Sequence, residues 1–350
     1  MRRRACLSGC LSGCLNLHVL LMLSPLATVA VHAQPQDGEA VWPEREPLRL
    51  VVPFPVGGTS DRIGRRAADL LGREIGQRIL VDNIGGAGGS VGVAQALRQP
   101  ADGYTLILGG IGQNAIAHAL PAPPDYDSRR DLIALGLLHV GANVLLVRAD
   151  SPLRRLEDLI AEARRRPDPI QYAYTPASSG HMAMELLRRE AARCPMTQPG
   201  CSVLPLAGQP YRGGGRLLQD LVDGRVSLLF VNLDSALADL RAGRVRALAV
   251  SSARRHPLLP EVPTLAESGL PGFEVLSWSG LMVARGTPAP VVARLEAALR
   301  RVMASAEMQR AMQAEGLTLP PAGAEAHAQL LAREITRWQR LVHDGGIMSD

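Results

Sequence analysis

The chain contains no lysine; all 38 of its basic residues are arginine. That absence excludes a phosphate-binding GxxxxGK[ST] loop, whose lysine reaches the phosphates, and it excludes a Schiff-base nucleophile. Aromatic residues make up only 3% of the 350, while a hydrophobic share of 47% rich in Ala, Leu and Val, together with 35 glycines, is the composition of a soluble α/β protein. No GxSxG elbow occurs, and the histidines beyond the N-terminus (118, 139, 181, 256, 327 and 343) are far apart, with no HExxH or HxH spacing. The glycines of "NIGGAGGSVG", residues 83 to 92, lie between a strand pattern and a helix pattern but fit GxGxxG in no register. Carboxylate pairs such as Glu157 and Asp158 fall on charged helix faces. These residues favour neither catalysis nor a bound metal or cofactor.

Acidic residues number 33, so the formal charge is +5, but Arg2, Arg3 and Arg4 belong to an N-terminal leader. Without them the balance is 35 to 33, or +2, and arginines interspersed with acids are solvated faces rather than a nucleic-acid footprint. The leader has a charged start, an apolar stretch from Leu15 to Ala30, and "VHAQ" as a small-residue cleavage site. Export and a cut after Ala33 are expected. The apolar stretch is short for a membrane span. "LSGC" occurs twice, ending at Cys10 and Cys14, yet both copies precede the apolar stretch, where a lipoprotein box would follow it. Five cysteines thus become two, Cys194 and Cys201 in "RCPMTQPGCS". Outside the cytoplasm, an even count with Pro and Gly between favours a disulfide over two free thiols.

Residues 34 to 46 are polar and Pro-rich, a flexible lead-in. Beyond them, short β-branched runs alternate with Ala/Leu/Arg helical patterns. "LRLVVPF", "RILVDN" and "YTLILGG" read as strands, separated by "RIGRRAADLLGREIG", with Ile63, Ala67, Leu70 and Leu71 on one face, and by "SVGVAQALRQ". A second series begins near residue 139 with the strands "NVLLVRADS", "IQYAYT", "VSLLFVN" and "VRALAVSS", and the last hundred residues return through "FEVLSWSGLMVA" to three helical patterns. About ten strands and as many helices without a long linker predict two α/β lobes, each a mainly parallel sheet flanked by helices, with a cleft between them. The expected division is residues 47–138 with 250–350 in one lobe and 139–249 in the other.

"VVPFPVGGTSD", residues 51 to 61, follows a strand and opens a helix. The amides of Gly57, Gly58 and Thr59 are expected to lack intrahelical partners there, and the helix dipole favours a carboxylate or phosphate. An ordinary turn capped by Ser60 or Asp61 is the alternative. "TPASSGHMAME", residues 175 to 185, repeats the arrangement in the second series, with Ser178 and Ser179 placed either to cap the helix or to bind an anion. Three or four charge-assisted hydrogen bonds of about 1.5–3 kcal/mol each reach the roughly 8 kcal/mol of a micromolar complex.

Several longer stretches, "ILVDNIGGAGGSVG", "ADGYTLILGG", "PYRGGGRLLQDLVDGRVSLLF", "RVRALAVSSARRHPLLPEVPTLAESGLPGFEV" and "EITRWQRLVHDGGI", follow "VVPFPVGGTSD" in order. From Leu48 to Ile347 the chain resembles the extracytoplasmic solute receptors of tripartite tricarboxylate transporters, the Bug-type or TctC-type receptors. The resemblance implies a two-lobed periplasmic binding-protein fold of type II-like character that closes, as a monomer, over a small carboxylate and delivers it to a membrane permease. It implies no cofactor and no catalysis. It places Phe54, Gly57, Gly58, Thr59 and Asp61 on one ligand loop and Ser178, Ser179 and His181 on another, with Ile111, Gln113 and Asn232 bordering the cleft. Two departures bear on the ligand. The family's serine-rich loop usually reads like YASxGxGSxxH, where this chain has "YAYTPASSGH". Val231 stands where the family usually has an aspartate, which suits a ligand without an amino group. Presentation of a carboxylate to a sensor kinase is a rival role, and an enzyme on the same fold is a third.

Overall fold

The computed structural model describes residues 42–193, 202–211, 214–320 and 323–343. The expected leader and both Cys194 and Cys201 lie outside the described residues. The first series consists of β1 (Leu48–Val52), α1 (Thr59–Ile75), β2 (Ile79–Asn83), α2 (Ser90–Leu97), β3 (Thr105–Gly110) and the one-turn helix α3 (Ile111–Asn114). Next come β4 (Leu132–Arg148), α4 (Leu156–Arg165), β5 (Ile170–Tyr174), α5 (Ser179–Ala191), β6 (Leu206–Pro210), α6 (Gly214–Val222), β7 (Leu228–Asn232), α7 (Leu233–Arg241) and β8 (Val245–Val250). The chain closes with β9 (Leu276–Ala284), α8 (Ala289–Ala304), α9 (Ala306–Ala314) and α10 (Ala324–His343).

The strands form one sheet in the order β2-β1-β3-β9-β4-β7-β5-β6, with β8 also paired to β4. The parallel rhythm expected from the sequence holds where helices connect neighbouring strands: β1 pairs in parallel with β2 and β3, and β5 with β6 and β7. At the centre the pairing is antiparallel, because β4 is long enough to serve both sides. Its first part, from Leu132 to Ala142, pairs with β9, and its last part, from Asn143 to Arg148, pairs with β7 and β8. Thus β4 carries two half-sheets, one built on β1 to β3 and β9, the other on β5 to β8. The described residues pack as one compact unit.

Local sequence explains the helices that matter for the site. Ile63, Ala67, Leu70 and Leu71 are buried along α1, as the helical spacing predicts, against strand residues such as Leu50 and Leu106. The helix stops at Gly76, whose φ of +74° turns the chain so that the Gln77 N–H, like that of Gly76, reaches the Gly72 carbonyl. On the other side, α10 packs against β4, with Trp338 fully buried. Among the described residues no helix is long and apolar enough to cross a membrane.

Candidate functional site

The carboxyl ends of β1, β3, β5 and β7 converge on a cavity of about 690 Å³, and the helices α1, α3, α5 and α7 all begin at its edge. This is where parallel strands of an α/β sheet present their loops, and the volume lies within the range of small-molecule pockets. Strands β4 and β9 supply the floor. Of the residues expected at the site, Phe54, Gly57, Gly58, Thr59, Ile111, Gln113, Ser178, Ser179 and Asn232 line the cavity, whereas Asp61 and His181 do not.

Asp61 is displaced from the cavity because its carboxylate shapes the loop. Gly57, with φ +92°, turns the chain after Pro55, and its N–H donates to Asp61 Oδ2 at 3.0 Å. Asn83 donates to Asp61 Oδ1 at 2.9 Å, and Arg65 pairs with the same oxygen at 2.9 Å. Burial alone would raise the Asp61 pKa; the Gly57 amide, Arg65 and Asn83 together outweigh it and hold it below the usual carboxylate range. The Gly57 amide, expected to be unpaired, is therefore engaged. Gly58 is the N-cap of α1, with no side-chain cap, so the first amides from Gly58 onward are the ones a helix start leaves without intrahelical acceptors.

On the opposite side, Ala177 takes φ +59° where the loop turns into α5. Ser178 caps the helix, its hydroxyl accepting from the His181 N–H at 3.1 Å. Ser179 Oγ donates to Asn143 Oδ1 at 3.0 Å and lies 3.5 Å from Asn232 Oδ1. One helical turn further on, His181 points away from the loop and stacks on Tyr174, with ring centroids 4.0 Å apart. Burial lowers its pKa to about 4, so the imidazole is a neutral part of the scaffold.

The two groups of loops touch. Thr59 Oγ1 donates to Asp234 Oδ2 at 2.6 Å and lies 2.9 Å from Ser235 Oγ, joining α1 to α7. At another edge the backbones of Gly88 and Gly112 approach the Pro176–Ala177 segment so closely that a Cβ on Gly112 would sit 2.8 Å from the Ala177 carbonyl oxygen.

Sequence reasoning missed the floor. His139 and Asn143 on β4, with Ser277 and Ser279 on β9, all line the cavity. His139 Nδ1 lies 2.7 Å from Ser279 Oγ, and burial lowers the His139 pKa to about 4. The charged residues of the lining are Arg62 and Arg216; among the described residues no aspartate or glutamate lines the cavity. Nor do three or more His, Cys, Asp or Glu side chains gather anywhere among the described residues in a way that would hold a metal ion. The arrangement suits reversible capture of an anion: helix starts open onto a mixed polar and apolar pocket with two arginines and no acidic residue in its described lining.

A cavity framed by strand-to-helix loops of two half-sheets on a shared long strand defines a substrate-binding protein. The chain belongs to the tripartite tricarboxylate transporter family of receptors (TctC), whose profile matches residues 63–347. It is 37% identical over 319 residues, 91% of this chain and 90% of the relative, to the protein of the tcbD–tcbE intergenic region of a Pseudomonas species. Among solved structures it resembles MatC from Rhodopseudomonas palustris with bound malate, at 31% identity and a TM-score of 0.77 over 85% of this chain and 99% of that one. A second R. palustris protein, with adipate, superposes with a TM-score of 0.79 at 32% identity, covering 87% and 99%. The chain is accordingly a solute-binding receptor of the TctC type.

Proposed function

We propose that this receptor captures a small carboxylate lacking an amino group, outside the cytoplasm, and presents it to the permease of a tripartite transporter without chemically changing it. The observation that carries the reading is the lining itself: among the described residues no acidic side chain lines the cavity, and its charged members are Arg62, ion-paired with Asp234 behind the lining, and Arg216. An ammonium group entering that cavity would find no carboxylate to replace its lost hydration, which sets amino acids apart from plain organic acids. In this reading the ligand carboxylate meets the Gly58 and Thr59 amides at the start of α1 and the hydroxyls of the Ser178–Ser179 loop. Residues 47–138 with 250–350 act as one lobe and 139–249 as the other, and the receptor works as an exported monomer. The malate and adipate held by the structural neighbours support the ligand class.

Thermal-shift and calorimetric titration of the mature protein with malate, succinate, adipate, benzoate and aspartate tests this. A carboxylate ligand raises the melting temperature by mass action, and aspartate is expected to bind worst. A tight amino-acid ligand, or no response to any carboxylate, would overturn the proposal.

A further inference from the structure

The floor of the cavity has a chemistry unlike its rim. Its polar side chains are His139, Asn143, Ser277 and Ser279, and none carries a charge at neutral pH. Asn143 is already committed: its amide donates to the Val275 carbonyl and its oxygen accepts from Ser179. Ser277 donates to the Gly141 carbonyl. His139 is only 3% exposed, and Nδ1 is held by Ser279, yet Nε2 has no hydrogen-bond partner among the described residues. A buried ring nitrogen without a partner costs free energy in either tautomer, and this residue lines the ligand cavity.

We propose that His139 is the specificity residue of the floor and that its Nε2 is completed by an uncharged hydroxyl on the ligand. Two considerations select a hydroxyl. If Ser279 donates to Nδ1, Nε2 carries the proton and needs an acceptor; if Nδ1 donates to Ser279, Nε2 needs a donor. A hydroxyl answers both, whereas a methylene answers neither. A second carboxylate is disfavoured at this depth because the floor offers no cation, the guanidiniums of Arg62 and Arg216 belonging to the α1 and α6 walls. Burial, the sole cause of the lowered His139 pKa, keeps the ring from becoming that cation. The receptor is therefore specific for hydroxylated carboxylic acids. This inference rests on the carboxylate-receptor reading above.

Matched pairs differing by one hydroxyl test it: malate against succinate, 3-hydroxybutyrate against butyrate, and 4-hydroxybenzoate against benzoate, each titrated into wild type and H139L. In at least one pair the hydroxylated acid is expected to bind wild type about tenfold more tightly, and H139L should abolish that preference. The ¹⁵N resonance of His139 Nε2 should move on adding the hydroxylated acid and stay in place with its partner, a response that a merely structural histidine would not give; this measurement needs no variant. Carboxylates that bind with no hydroxyl preference, or a preference that survives H139L, would overturn this inference alone. Failure of every carboxylate to bind would overturn it together with the receptor reading.

Discussion

Arg62 Nη2 lies 2.7 Å from Asp234 Oδ2, an ion pair that ties the start of α1 to the start of α7 beside the cavity. Thr59 donates to the same oxygen. The Asp234 side chain is 1% exposed and that of Arg62 39%, so the pair is dry at one end and wet at the other. Burial raises the Asp234 pKa, with Thr59 and Arg62 pulling against it. A buried carboxylate favours conformations that keep its partners in place, and here those partners belong to the other half-sheet. Asp234→Asn keeps the shape and removes the charge. The expected result is a larger radius of gyration for the ligand-free protein in solution scattering and a carboxylate affinity about three- to tenfold weaker, equivalent to roughly 1 kcal/mol after allowing for the solvated end. Unchanged scattering and affinity would show that the pair does not bias closure.

Asp61 supports a second prediction, concerning pH. Its folded-state pKa is depressed, the Gly57, Arg65 and Asn83 contacts overcoming the cost of burial. The unfolded carboxyl titrates near 3.9, so its contribution to stability is fully present above that pH and is lost as pH falls through the lower folded value. Asp61→Asn should lower stability at pH 7 by about 1–3 kcal/mol, measured by urea unfolding. The gap to wild type should narrow as pH is taken below about 4. A gap that is constant with pH would mean that the ionised form of Asp61 does not hold the loop.

Much of this arrangement was legible in the sequence, and the parts that were not have physical reasons. The helical face of α1 and the loops after β1 and β5 follow from local periodicity and turn chemistry, and the structure places both loops on the cavity. The first part of β4 lacks a clear strand pattern, because Gly136 and Gly141 interrupt "LIALGLLHVGA"; both glycines lie in the β9 pairing, Gly136 at a register shift. The floor had a signal that went unused: His139 and Asn143 are four apart and Ser277 and Ser279 two apart, so each pair shares one face of an otherwise buried strand. Asp61 and His181 show the converse. Each lies on an expected ligand loop, but one turn of helix carries the side chain to a loop-supporting or scaffold position. The ion pair of Asp234 with Arg62 depends on tertiary approach across 172 positions, which no local pattern encodes.

Gly58 and Gly112 separate two ways in which a glycine serves this cavity. Gly58 has φ −79° and ψ 174°, an extended conformation open to any residue, and a Cβ there would meet only the Pro55 carbonyl oxygen at 4.0 Å. Gly58→Val should therefore cost only about 0.5–1 kcal/mol of stability, the loss of a favoured N-cap residue, while adding side-chain bulk beside the amides at the start of α1. Loss of one charge-assisted hydrogen bond, about 1.5–3 kcal/mol, corresponds to an affinity loss of roughly tenfold to a hundredfold. Gly112 has no such room: its added Cβ would lie 2.8 Å from the Ala177 carbonyl oxygen and 3.5 Å from that of Gly88. Gly112→Ala forces the facing loops apart, so it should cost about 1–3 kcal/mol of stability as well as affinity. Calorimetry and thermal unfolding of the two variants side by side check the distinction: Gly58→Val impaired chiefly in binding, Gly112→Ala in both. If Gly58→Val bound normally, the start of α1 would have no part in holding the ligand.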